Sequence, residues 1–125
     1  MEPISTTMNR GDFNVIASWI KPGERVLDLG CGDGTLLRRL IDERGARGYG
    51  IELENAAMLS ALDNGINVIQ TDLEQGLAGF GDGTFDHVVL SRTLQTVLHT
   101  ENVLNEMLRV GREAVVSFPN FAYWK

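Results

Sequence analysis

Arg25-Val26-Leu27-Asp28-Leu29-Gly30-Cys31-Gly32-Asp33-Gly34-Thr35 is the stretch that decides the fold of this 125-residue chain. An apolar run typical of a buried strand leads into Gly-x-Gly-x-Gly, and a helical pattern follows at once. Glycine can adopt positive φ, so such a turn can bring backbone N–H groups close to a ligand. The third glycine comes one residue earlier than in the dinucleotide fingerprint, which indicates a nucleotide cofactor other than NAD. A plain glycine-rich turn is the alternative for this loop taken alone.

Acidic residues follow the next two predicted strands. Glu52 ends the apolar run 48–51 and lies about twenty residues after Gly30, as expected of a carboxylate that accepts hydrogen bonds from both ribose hydroxyls. Asp72 follows the third run, 66–69. The alternatives are a solvated strand-end residue for Glu52 and a turn or helix N-cap residue for Asp72.

The rest of the chain alternates between helical and strand patterns. Helices are predicted within 13–20, 36–44, 55–62 and 103–110, and strands within 25–29, 48–52, 66–69, 85–91 and 113–118. This order predicts one α/β domain over 1–125, with a mostly parallel sheet covered by helices on both faces. The glycine-rich section 74–84 predicts a flexible connection beside the cofactor edge of the sheet.

Composition excludes several classes of function. The net charge of −6 and the pI near 4.8 argue against nucleic acid as a partner, because phosphate binding needs clustered Lys and Arg. No apolar run approaches the length of a membrane span, and the N-terminal sequence has no signal-peptide pattern, so a soluble, cytoplasmic protein is expected. Cys31 is the only cysteine, so it is expected to be a small, inert side chain, and no metal site is predicted.

The glycine loop resembles motif I of the class I S-adenosylmethionine-dependent methyltransferases. The resemblance implies a Rossmann-like fold that binds S-adenosylmethionine or S-adenosylhomocysteine, with Asp72 facing the adenine amine. That fold continues past a fifth strand to a final antiparallel one, so the chain is expected to be C-terminally truncated and to lack the last strands. The implied cofactor residues are Asp28, Gly30, Cys31, Gly32, Gly34, Glu52, Leu53, Asp72, Leu73 and Ser91.

More particular motifs lie in the C-terminal third of the chain. The segments Ser91-Arg92-Thr93-Leu94-Gln95-Thr96, Leu108-Arg109-Val110-Gly111-Arg112-Glu113 and Ser117-Phe118-Pro119-Asn120-Phe121 together resemble the MetW family of methionine biosynthesis proteins. This resemblance implies a cofactor-binding accessory protein that acts with a MetX-like homoserine O-acyltransferase in the acylation of homoserine. The oligomeric state stays open, a homodimer included.

The sequence offers no well-placed general base. His87 lies inside the fourth predicted strand and His99 just before a helix, whereas ligands of such sheets bind at the carboxyl ends of the strands. No catalytic residue is therefore assigned, which favours the accessory protein. An active S-adenosylmethionine-dependent small-molecule methyltransferase is the alternative, because many such enzymes act by proximity alone. The methyl acceptor of such an enzyme is not indicated.

Overall fold

The computed structural model describes residues 10–90, 100–117 and 123–124 of the chain. Helices and strands alternate as the sequence predicts, and one mainly parallel sheet has the strand order β3-β2-β1-β4-β5-β6. The elements are α1 (Arg10–Ser18), β1 (Arg25–Leu29), α2 (Thr35–Arg44), β2 (Arg47–Glu52), α3 (Asn55–Asp63), β3 (Asn67–Gln70), α4 (Leu73–Ala78), β4 (Phe85–Leu90), α5 (Thr100–Val110), β5 (Gly111–Ser117) and β6 (Tyr123–Trp124).

Apolar clusters cover both faces of the sheet. One cluster packs α1, α2 and α3 on one face, and the other packs α4 and α5 on the opposite face. Val26 and Leu27 are neighbours in β1 but belong to different clusters, because successive side chains of a strand point to opposite faces. The predicted α/β architecture, with helices on both faces of a mostly parallel sheet, is thus confirmed.

Two segments differ from the sequence-based expectation. The section 74–84 is not simply a flexible connection, because α4 occupies its first part. Gly76 is a packing residue there: a Cβ atom at this position would meet Ile51 Cδ1 at 2.5 Å, so the glycine lets α4 lie close to β2. The second difference is β6, which pairs antiparallel with β5 in a segment for which the sequence predicts no strand. Two residues are too few to produce a recognisable strand pattern.

The junction of α5 and β5 contains no connecting residue. The helix ends at Val110 and the strand begins at Gly111. A Cβ atom at position 111 would lie 2.6 Å from Val88 Cγ2 and 3.1 Å from the Met107 carbonyl oxygen. Only glycine fits this direct change from helix to strand without displacing its neighbours.

Arg109, in the motif 108–113, forms hydrogen bonds that connect three segments of the chain. Its guanidinium donates to the Glu106 carboxylate, to Asp82 Oδ1 at 2.8 Å and to the Leu77 carbonyl at 3.1 Å, and its own carbonyl accepts from the Gly83 N–H at 2.8 Å. The hydrogen bonds to Glu106 and Asp82 raise the pKa of Arg109 above its usual value. This motif therefore joins α4, the connection that follows it, and α5.

His87 is buried near the amino ends of the strands, away from the edge where a cofactor would bind. Its Nε2 lies 3.0 Å from Glu24 Oε1, and its Nδ1 lies 3.3 Å from Glu113 Oε2. Burial acts to raise the pKa of Glu24, but hydrogen bonds from the Lys21 N–H and from His87, together with the charges of both residues, outweigh burial. The pKa of Glu24 consequently lies below its ordinary 4.5.

The Gly111 junction predicts a specific loss of stability. We expect Gly111→Ala to lower the free energy of unfolding by about 1–3 kcal/mol, because the added methyl group overpacks the contact with Val88. Gly81→Ala is the matched control, since the nearest atom to a Cβ there is the Thr84 hydroxyl at 3.8 Å. Urea unfolding measures both variants. A Gly111→Ala protein as stable as the control would show that the junction relaxes around the added carbon.

The low pKa of Glu24 predicts a loss of stability in acid. A carboxyl whose pKa is depressed by folding stabilises the protein above its unfolded-state pKa, and this contribution is lost as the pH falls through the folded-state pKa. We expect the unfolding free energy of the wild type to fall as the pH drops below 4.5, and to fall less steeply in Glu24→Gln. Urea unfolding at a series of pH values measures the slopes, with the exposed Glu101→Gln as control. Equal slopes for wild type and Glu24→Gln would contradict this expectation.

Candidate functional site

The sheet topology brings the predicted cofactor residues to one edge. Strands β2, β1 and β4 are adjacent and parallel, with Leu29 paired to both Ile51 and Leu90 near their carboxyl ends. The strand order reverses direction between β1 and β4, and open α/β sheets bind ligands at such a switch point. We define the cofactor edge as the glycine loop 30–34 together with residues 52–53 and 72–73. Ser91, the remaining predicted position after β4, lies outside the described residues.

The glycine loop has a backbone conformation that requires glycine. Gly30, Gly32 and Gly34 have φ angles of 70°, 60° and 82°, in the left-handed region that side chains disfavour. Gly34 is needed for a second reason, because a Cβ atom there would lie 2.6 Å from Ile66 Cγ1. The conformation of the loop therefore requires glycine at these three positions.

Loop amides are largely used within the protein. The Gly30 and Cys31 N–H groups both donate to the Ile51 carbonyl, at 2.7 and 3.0 Å. The Gly34 N–H donates to the Cys31 carbonyl at 3.0 Å. These three amides are therefore engaged within the protein, and the expected approach of loop N–H groups to a ligand stays a prediction. What the loop offers to a ligand is close approach to the backbone at its three glycines, which have no side chains.

Asp33 places a negative charge at the start of α2, the helix that follows the loop. Its Oδ1 accepts from the Thr35 N–H at 3.0 Å and from the Thr35 hydroxyl at 2.7 Å. The start of α2 therefore carries a negative charge, where a dinucleotide site would use the helix N-terminus to hold a pyrophosphate. This charge agrees with a cofactor that has no phosphate groups.

Glu52 is held by backbone amides on both of its oxygens. Oε1 accepts from the Gly32 N–H at 2.8 Å, and Oε2 accepts from the N–H groups of Leu53 at 3.0 Å and Glu54 at 2.9 Å. These bonds fix the orientation of the carboxylate beside the glycine loop. A carboxylate offers about four acceptor positions, so capacity for a further donor remains on Oε1. The predicted ribose contact stays a prediction.

Asp72 is the N-cap of α4. Its Oδ1 accepts from the Gln75 N–H at 2.7 Å, so the capping role that the sequence left open is present. Its Oδ2 has no hydrogen-bond partner within residues 10–90, 100–117 and 123–124. An N-cap can thus still face a ligand with its second oxygen, and the adenine contact stays a prediction.

The other predicted positions differ in accessibility. Leu53 is 63% exposed at the cofactor edge, and Leu73 is partly buried against the second apolar cluster. Asp28 and Cys31 are almost fully buried. The Cys31 thiol points beneath the loop, since a Cβ atom at position 50 would lie 2.6 Å from its sulfur. Of these four residues, Leu53 has the side chain most open to a ligand.

One further contact to the loop could not be predicted from the sequence. Asn64, at the end of α3, donates from its side-chain amide to the Asp33 carbonyl at 2.7 Å. An Asn followed by Gly at the end of a helix indicates only a turn, so no local pattern signals this contact between residues 31 positions apart.

The described part of the chain lacks two kinds of feature. No helix in it combines the length and apolar character needed to cross a membrane. Over the same residues, no group of three or more His, Cys, Asp and Glu side chains is arranged to hold a metal ion.

Comparison with known proteins adds a family and a fold. A family model described as methionine biosynthesis protein MetW matches residues 10–125. The bifunctional methionine biosynthesis protein MetXA/MetW of Rhodopirellula baltica is 43% identical over 129 residues, covering 97% of this chain and 20% of the relative. The ubiquinone/menaquinone biosynthesis C-methyltransferase UbiE of Ectopseudomonas mendocina is 36% identical, covering 85% of this chain and 46% of the relative.

Solved structures share the same architecture. Haemonchus contortus phosphoethanolamine N-methyltransferase 2, in complex with phosphomonomethylethanolamine and S-adenosylhomocysteine, matches with a TM-score of 0.75 at 20% identity. The match covers 86% of this chain and 28% of that enzyme, and the chain also spans less than half of the UbiE relative. At this level of identity the likeness establishes the fold alone, which is the Rossmann-like fold of class I methyltransferases. The family follows from the match over residues 10–125: this chain belongs to the MetW family of methionine biosynthesis proteins.

Proposed function

We propose that this protein binds S-adenosylmethionine or S-adenosylhomocysteine at the cofactor edge and acts with a homoserine O-acyltransferase in methionine biosynthesis. The observation that carries the first part is the approach of Glu52 to the glycine loop. Its carboxylate is oriented by the Gly32 amide, beside a loop whose conformation requires glycine at three positions. Structural neighbours that contain S-adenosylhomocysteine support the same choice of ligand.

The charge of the cofactor edge supports a ligand without phosphate. Asp33, Glu52 and Asp72 supply three carboxylates at or beside the three predicted contact segments, and none of these segments contains Lys or Arg. S-adenosylmethionine has a net positive charge, because its sulfonium and amino groups together outweigh its one carboxylate, whereas a pyrophosphate would bring only negative charge to this edge. The ribose and adenine would then meet Glu52 and Asp72.

The partner is proposed from a relative that carries two named functions on one chain. In the Rhodopirellula baltica protein, MetXA and MetW are named together on one chain, and the part similar to this protein is 20% of its length. Two activities on one chain are held at high effective concentration, which benefits proteins that act at one step. We infer that this chain makes the corresponding contact with a separate MetX-like homoserine O-acyltransferase.

An active small-molecule methyltransferase is the second candidate. This candidate is favoured by the similarity of the UbiE relative, which is named as a C-methyltransferase and covers 85% of this chain. The carboxylates of the cofactor edge argue for the accessory role, because each of them accepts a backbone amide: Asp33 from Thr35, Glu52 from Gly32, and Asp72 from Gln75. Each of these carboxylates thus already has a structural role in holding the backbone, and none of the three is assigned as a general base.

Cofactor binding is tested directly by calorimetry. We expect the full-length protein to bind S-adenosylhomocysteine, and Glu52→Gln to bind it more than tenfold more weakly, since charge-assisted hydrogen bonds are worth roughly 1.5–3 kcal/mol. Glu43→Gln is the matched control, because Glu43 pairs with Arg39 on the surface of α2. An absence of heat and of thermal protection at millimolar ligand would refute the proposal.

The partner is tested by acyltransferase rates in four mixtures. The homoserine O-acyltransferase of the same cell is assayed with and without this protein, each with and without S-adenosylmethionine. We expect this protein to change the rate and to show no methyl transfer to homoserine or its acyl esters. Unchanged rates in all four mixtures, with a methylated product formed from a cell extract, would establish the methyltransferase instead.

A further inference from the structure

The turn at the end of α3 forms a hydrogen bond to the backbone of the glycine loop. Asn64 Nδ2 donates to the Asp33 carbonyl at 2.7 Å, and the Asn64 carbonyl accepts from Arg38 Nη1 at 3.3 Å. Close packing accompanies these bonds, because a Cβ atom on Gly34 would lie 2.6 Å from Ile66 Cγ1. The loop therefore rests on a surface that belongs to a different helix–strand unit.

The loop is held from two directions at consecutive residues. Glu52 binds the Gly32 N–H from the end of β2, and Asn64 binds the Asp33 carbonyl from the end of α3. Glu52 is one of the residues expected to contact the cofactor. Asn64 is not, because its amide is directed at the loop backbone and lies on the α3 side of it.

We propose that Asn64 is a positioning residue for the cofactor site, acting by holding the glycine loop in its binding conformation. The proposal rests on the proposed function, since it needs the cofactor to bind at this loop. Glycine has the largest conformational freedom of any residue, so a segment with three glycines loses much entropy when it is ordered. Bonds that order the loop beforehand reduce the entropy lost on ligand binding and raise affinity.

Asn64→Asp is the sharpest test, because it keeps the size of the side chain and replaces the donor by a carboxylate that faces the Asp33 carbonyl. We expect Asn64→Asp to bind S-adenosylhomocysteine about five- to tenfold more weakly than the wild type. We expect Asn64→Ala to bind it about two- to fivefold more weakly, as expected for the loss of one hydrogen bond. Asp63→Asn is the matched control. It changes a charge on the adjacent residue of α3, and no hydrogen bond to the loop depends on it.

Hydrogen exchange separates loop positioning from a general loss of stability. In the ligand-free protein we expect the Gly34 amide to exchange faster in Asn64→Asp than in wild type, while the Gly45 amide, which donates to the Ile41 carbonyl, is unchanged. Equal affinity in wild type and Asn64→Asp would overturn this inference and leave the proposed function intact. Failure of the wild type itself to bind S-adenosylhomocysteine would overturn the proposed function and this inference with it.

Discussion

The hydrogen bond from the Gly32 amide to the Glu52 carboxylate is the contact on which the cofactor edge depends. It joins the loop after β1 to the end of β2, two segments 20 residues apart. Loop residues on either side of it are bound to neighbouring backbone, through Ile51 before it and Cys31 after it. Because Gly32 adopts positive φ, its N–H points at Glu52 without the strain that any other residue would bring.

The two ends of the sheet are stabilised by different chemistry. At the carboxyl ends of the strands, the carboxylates of Asp33, Glu52 and Asp72 accept hydrogen bonds from backbone amides in and around the glycine loop. At the amino ends, a buried His87 lies between Glu24 and Glu113 and joins the segment before β1 to β4 and β5. The family's C-terminal motif serves a third purpose, since Arg109 anchors α5 to the segment after α4.

Much of the fold could be predicted from the sequence, because apolar periodicity reports directly on burial. The loop 30–34 and Glu52 were found from their spacing, and the structure brings them into contact. Glycine is ambiguous in a sequence: the glycines of 74–84 predict a flexible connection, but Gly76 is a packing residue in α4. Sequence distance explains the other omissions. Asn64 reaches Asp33 across 31 residues, and β6 is defined by pairing with β5 and not by a pattern of its own.

The direct junction at Gly111 limits how this domain can vary in length. A single residue inserted between α5 and β5 would either have to bulge out at a junction that has no loop, or shift the register of β5 by one residue. Such a shift would turn the side chains of β5 to the opposite faces of the sheet. A deletion would pull Val110 out of the second apolar cluster. Relatives with insertions or deletions are therefore expected to accommodate them elsewhere, for example in the connection 79–84, where a Cβ atom at Gly83 would have no other atom within 4 Å. Among the connections that lie wholly within residues 10–90 and 100–117, this junction is the one with no residue to spare.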